Sequence, residues 1–117
     1  MVSISTSTPS GPVFLSEGRE GVDATIRVEN HSNQRIQNDQ IVCEVSIPDG
    51  ISIEIGNATR VADEMWHSVR DLPTGRRVSM PIFIDCHRSR TISQDSIAIT
   101  LRIANRVSDT SELKLWL

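Results

Sequence analysis

Residues 43–55, CEVSIPDGISIEI, carry apolar side chains at every second position on both sides of Pro48-Asp49-Gly50. Alternation at period two puts Cys43, Val45 and Ile47 on one side of an extended chain, and Ile51, Ile53 and Ile55 repeat the pattern beyond the break. A helix would need apolar spacing near 3.6, so the stretch predicts two half-buried strands. The sequence between them suits a type I turn: proline presets φ at the second position, aspartate fits the third, and glycine accepts the left-handed conformation that follows.

The same period recurs outward in both directions. Val22, Ala24, Ile26 and Val28 share one face of VDATIRVE, with Asp23, Thr25, Arg27 and Glu29 on the other. Val78, Met80, Ile82, Ile84 and Cys86 are in phase, as are Ile97, Ile99, Leu101 and Ile103, and then Leu113, Leu115 and Leu117. With the short apolar run at 13–15 this makes about seven strands. Composition agrees, because 14 Ile and 10 Val stand against 6 Leu, and β-branched side chains fit a pleated sheet better than a helix. Residues 65–75, MWHSVRDLPTG, are expected to form an irregular crossing with one helical turn at most, since Pro73 and Gly75 stop a helix. Pro81 has no amide to donate within its strand and predicts a bulge or an unpaired edge there. The expected architecture is an all-β, two-sheet sandwich over residues 13–117, one domain, preceded by a flexible segment at 1–12.

The succession "EG..V...I.VEN", "V.IPDGI" and "W..V.DLPTGRRVSM.I.I", closed by two strands, resembles the immunoglobulin-like repeats of bacterial and archaeal surface proteins, including the CARDB-like, cell-adhesion-related domains. The resemblance rests on Gly18, Asn30, Pro48, Gly50, Trp66, Leu72 and Gly75, which are turn and packing residues. It implies an immunoglobulin-like order of strands, a buried Trp66, and a role as spacer, adhesion module or accessory domain. It assigns no catalytic residue.

Charge and motif content narrow the function classes. A net charge of -3 with pI near 5.5 gives no general attraction to phosphate backbones or anionic membranes. Arg76-Arg77 and the pair Arg88 and Arg90 flank one strand and stand roughly 30 Å apart at about 3.3 Å per residue, so they do not clamp one phosphate. No nucleic acid, no membrane insertion and no cofactor are expected. His31, His67 and His87 lie in separate segments without a second ligand at zinc spacing, and the Asp and Asn of the loops lack calcium-loop spacing, so no metal is expected. Cys43 and Cys86 both fall on inward phases. A bridge across the core is conceivable, but a buried free thiol is the favoured reading. No nucleophile and base stand together, and an enzyme is not expected. Residues 1–12 have neither a basic start nor an apolar stretch and do not read as an export signal, which leaves the compartment open.

Under an immunoglobulin-like order, the strands near 41–47, 97–104 and 111–117 share a sheet whose outer side carries Val42, Ala98, Thr100, Ala104 and Trp116. This apolar face is the first candidate site, for another protein, a neighbouring domain or a second copy of the chain. A rival site is the loop end formed by 31–39, 57–75 and 105–110, with His31, Asn33, Arg35, Asp39, Asn105, Arg106 and Asp109 available to a sugar or a protein loop. The function read from these features is a non-catalytic interaction, spacer or adhesion-type module. The alternatives are a carbohydrate-binding module using the loop end, or a structural or decorating protein of a viral or other multi-subunit assembly.

Overall fold

The alternating segments fold as strands of two facing sheets. In the computed structural model, which describes residues 2–7, 13–14, 23–86 and 94–116, the strands are β1 (Val2–Ser7), β2 (Val13–Phe14), β3 (Ala24–Asn30), β4 (Ile41–Ser46), β5 (Ile51–Ile55), β6 (Ala58–Ala62), β7 (Met65–Ser68), β8 (Arg77–Cys86), β9 (Gln94–Ile103) and β10 (Arg106–Trp116). The only helical element among the described residues is a 3-10 turn at Asn38–Gln40. His87, Arg88, Arg90, Leu117 and the side chains of Cys86 and Trp116 lie outside the described residues.

One sheet has the order β1-β3-β8-β5, and the other β2-β10-β9-β4-β7-β6. Among the described residues every strand pairing is antiparallel except that of β2 with β10, which is parallel. The orders β1-β3-β8-β5 and β4-β9-β10 reproduce the ABED and CFG sheets of a constant-type immunoglobulin sandwich. The β6–β7 hairpin, inserted between the D and E positions, extends the second sheet beyond β4. All seven strands read from the sequence are present. Two findings differ from that reading. Residues 2–7, expected to be flexible, form β1 along β3 with Val2 and Ile4 buried. The supposed irregular crossing contains β7, and only beyond Ser68 does the chain leave the sheet.

The core is filled from both inner faces. Ile26, Val28, Met80 and Ile82 of one sheet meet Ile41, Val45, Ile97, Ile99 and Leu101 of the other, all essentially without solvent exposure. Each large aliphatic side chain taken fully from water contributes about 1.5–3 kcal/mol of transfer free energy. Trp66 and Leu72, both expected to be structural, are buried with them. Val69, in the same stretch, is 47% exposed.

Local chemistry explains the corners. The turn after β4 closes one residue later than expected: the Ile51 amide donates to the Pro48 carbonyl at 3.2 Å, which puts Gly50 third in the turn with φ +77. A type II turn needs a positive φ at that position. This turn carries the chain from one sheet to the other and is not a hairpin. Pro81 sits inside β8, but its nitrogen faces the point where β5 ends, and its carbonyl accepts from the Gly56 amide at 2.8 Å. The unpaired edge predicted at Pro81 is therefore the terminus of β5.

Gly56 lets the two chains approach. A Cβ there would stand 2.8 Å from the Pro81 ring, and a proline ring cannot swing aside. Gly56→Ala is expected to lower stability by about 1–3 kcal/mol, the range for overpacking. Denaturant titration checks this, and an unchanged midpoint would contradict the close approach.

Two polar devices complete the fold. Asn30 is buried at the end of β3. Its amide group donates to the carbonyls of Gln34 (2.7 Å) and Leu72 (3.0 Å), and its Oδ1 accepts from the Ser32 amide (2.9 Å) and hydroxyl (2.6 Å). One side chain thus fixes the β3–β4 loop against the segment leading into β8. On one flank of the sandwich, the outer edge of β1 is closed by β10: the Ile4 amide donates to the Asp109 carboxylate at 2.8 Å, and the Ser108 hydroxyl donates to the Val2 carbonyl at 2.6 Å. The irregularity between Val107 and Asp109 in the β9–β10 ladder frees these side chains for that contact.

Candidate functional site

The outer side of the six-stranded sheet assembles from cross-strand pairs. Val42 lies opposite both Arg102 and His67, Glu44 opposite both Thr100 and Met65, and Ser46 opposite Ala98. On the next strand Thr110 faces Thr100, and Val107 faces Arg102. Three of the five face residues read from the sequence, Val42, Thr100 and Ala98, therefore share one surface. Val42 and Thr100 are partly buried and Ala98 is exposed. Val107, which the sequence reading did not assign to the face, is 56% exposed beside them.

The face is not uniformly apolar. Arg102 projects from it, and its Nε donates to the Glu44 carboxylate at 2.9 Å. The pair lies across the centre of the patch, between Val42 and Thr100. Ala104 does not belong to the face. It is the first residue of the two-residue turn joining β9 to β10, with φ +50, followed by Asn105 at φ +67. Two consecutive left-handed residues mark a type I′ hairpin, which favours Asn and Gly. An alanine there carries a Cβ penalty, so Ala104→Gly is expected to raise stability by about 1 kcal/mol. A lower thermal midpoint for this variant would contradict the turn assignment. The backbone of Trp116 lies opposite Gln94 and parallel to Phe14, at the far end of the same sheet.

Much of the expected loops 57–75 and 105–110 is strand, in β6, β7 and β10, and several polar groups of the loop end are engaged within the protein. The Ala104 amide donates to the Gln40 carbonyl at 3.2 Å, and Ile36 bridges Leu72, so the loops at 31–40, 69–76 and 104–105 form one surface. Arg35 donates to Asp71 at 2.9 Å, and the Asn38 amide donates to the other carboxylate oxygen at 2.9 Å. The Arg35 hydrogen bond, helped by the Asn38 amide, holds the Asp71 carboxyl below its ordinary range. His31 stands 3.2 Å from the Ser3 hydroxyl and 3.6 Å from the Glu29 carboxylate. Asn33, Asp39, Asn105 and Arg106 are exposed. Asp109 is not a tip residue. It lies within β10 and binds the Ile4 amide.

Cys43 is free and buried among the core side chains of β4. Burial pushes its thiol up from 9.0 to about 12, so it holds no thiolate near neutral pH. Because the folded value lies above the unfolded one, this burial supports folding fully below pH 9 and loses its contribution as pH rises from there. In a Cys86→Ser variant, Cys43 is expected to resist a thiol reagent until denaturant unfolds the chain. Rapid labelling under native conditions would contradict its burial. Among the described residues, no group of three His, Cys, Asp or Glu converges as a metal site would require, and no helix is long and apolar enough to cross a membrane.

A scan against models of known protein families found no match, and a search of curated proteins found none either.

Proposed function

We propose that this chain is a non-catalytic protein-contact module, of the spacer or adhesion type, that works through the outer side of its six-stranded sheet. The observation that carries this reading is the register, which sets Val42, Thr100, Ala98, Thr110 and Val107 on one broad surface built from three adjacent strands. Short side chains held on rigid strands are suited to a flat partner surface and not to enclosing a small molecule. The Glu44–Arg102 pair at its centre gives the patch a polar mark by which a partner's orientation is fixed. The resemblance to immunoglobulin-like repeats of surface proteins is in keeping with such a role.

Site-specific photocrosslinking in the producing cells tests the reading. A photoreactive residue at Ala98 should capture a defined partner or a second copy, whereas one at Arg27, on the outer side of the other sheet, should not. A charge placed on the patch by Thr100→Lys should abolish the capture and leave the thermal midpoint within a few degrees. Equal capture from both positions, or from neither, would refute the assignment.

A further inference from the structure

The flank opposite the β1–β10 seam is built differently. There β5 ends one sheet, the β6–β7 hairpin ends the other, and a groove of about 480 Å³ runs between them. Hydrogen-bond directions decide what β5 offers to that groove. The Ile84 amide donates to the Asp23 carboxylate at 2.7 Å, and the Ile82 carbonyl accepts from the Asp23 amide at 2.9 Å, so both residues aim their backbone groups toward β3. Ile53 and Ile55 lie opposite Ile84 and Ile82. Residues facing each other across a non-bonded antiparallel pair both direct N–H and C=O outward, away from the shared ladder. The amide and carbonyl of Ile53 therefore point to the open side of β5, and among the described residues no strand pairs with that side. The far edge of the same sheet shows the contrast, because there Asp109 takes the Ile4 amide.

Chemistry along the groove selects what would pair with this edge. Trp66 forms part of its wall, with the Arg60 guanidinium 5.7 Å from the ring centroid and tied to Asp63 at 3.0 Å. Asp49, Glu54 and Glu64 line the rest and are exposed, and no ion pair among the described residues engages them. A second copy of this chain is a poor fit, since joining β5 to β5 would bring the same carboxylates together.

We infer that the open edge of β5 takes an extended segment of another protein, bearing alternate Lys or Arg residues, as an added strand. The main chain of the segment pairs with Ile53 and Ile55, its basic side chains meet Glu54 and the neighbouring carboxylates, and its alternate side chains lie against the Trp66 and Arg60 wall. This edge is separate from the outer face proposed above, and neither assignment depends on the other.

The test uses the full chain carrying Trp116→Phe, so that Trp66 is the sole indole. A blocked peptide of about seven alternating Val and Lys residues is long enough to span the strand. Its titration should give a saturable change in Trp66 emission and protect the Ile53 amide from hydrogen exchange. Three changes should each weaken binding at least about tenfold: Glu in place of Lys in the peptide, N-methylation of alternate peptide amides, and Glu54→Lys with Glu64→Lys in the protein. The doubly substituted protein should instead bind the Glu peptide. Absence of saturable binding overturns the proposal. Binding indifferent to N-methylation overturns strand addition by showing attraction through charge alone. Ile53 protection that rises with protein concentration without peptide assigns the edge to a second copy and overturns the basic segment as its occupant.

Discussion

Trp66→Ala is expected to lower the unfolding free energy by about 3–5 kcal/mol, the range for emptying a buried large aromatic site. Only 3% of Trp66 is exposed, and its strand pairs with the centre of the second sheet through Cys43. Truncation opens a void beneath the β6–β7 hairpin, and Arg60 loses the ring it covers, a contact worth roughly 0.5–1 kcal/mol at an exposed site. With total stabilities of about 5–15 kcal/mol, such a loss removes a large share of the margin. Thermal unfolding should show the midpoint falling by more than about 10 °C. Trp66→Phe should retain most of the stability by keeping the hairpin supported. A near-neutral alanine variant would mean that the indole is not part of the core.

Asn30→Leu is the second large effect, expected to cost about 2–4 kcal/mol. Leucine fits a buried position, yet it removes one of the two donors to the buried Leu72 carbonyl, leaving it only the Ile36 amide, and releases Ser32 and Gln34 in the loop. Asn30→Asp separates the cause from mere size. The ionised carboxylate retains the acceptor role toward Ser32 but faces the carbonyls of Gln34 and Leu72 with no proton to give, so its folded-state pKa must rise. A group whose folded pKa is raised favours folding below its unfolded value and loses that support as pH increases. The Asp variant should therefore recover stability relative to wild type as pH falls toward 4, roughly the unfolded carboxyl value, whereas the Leu variant should show no such recovery. Denaturant titration across pH reads both, and parallel pH profiles for the two variants would contradict the hydrogen-bonding role.

The strands that the sequence announces are those whose inner positions are filled by Ile, Val and Leu. Ile41, Cys43 and Val45, then Ile97, Ile99 and Leu101, are all buried as alternation predicts. β1 escaped because VSISTS alternates apolar with hydroxyl residues and its later positions face the seam with β10, where Thr6 meets Ser111. β6 and β7 escaped for a different reason. Four of the five residues of β6 are exposed, so there is no apolar phase to detect, and the reversal uses Glu64 at φ +62, which no turn preference would single out. Alternation does set Val42, Ala98 and Thr100 on the outer side of one sheet, but it passes over Arg102, and it carries the strand through Ala104 because nothing local marks that residue as the start of a turn. The open side of β5 was not legible at all. Which way a strand's amides point depends on the partner across the ladder, here on Asp23 holding Ile84, some sixty positions away in sequence.

The seam between β1 and β10 also sets an order of events during folding. Its hydrogen bonds, from Ile4 to Asp109 and from Ser108 to Val2, join residues 105 and 106 positions apart. Closing so long a loop costs chain entropy before any contact repays it, and topologies rich in such pairings fold slowly. On a ribosome, β1 can pair with β3 as soon as both have emerged, but the outer edge of β1 stays open until β10 has been made. For that interval the growing chain presents a strand edge competent to pair with other nascent chains. The side chains at Ser108 and Asp109 thus end the period of vulnerability during synthesis as well as closing one flank of the finished sandwich.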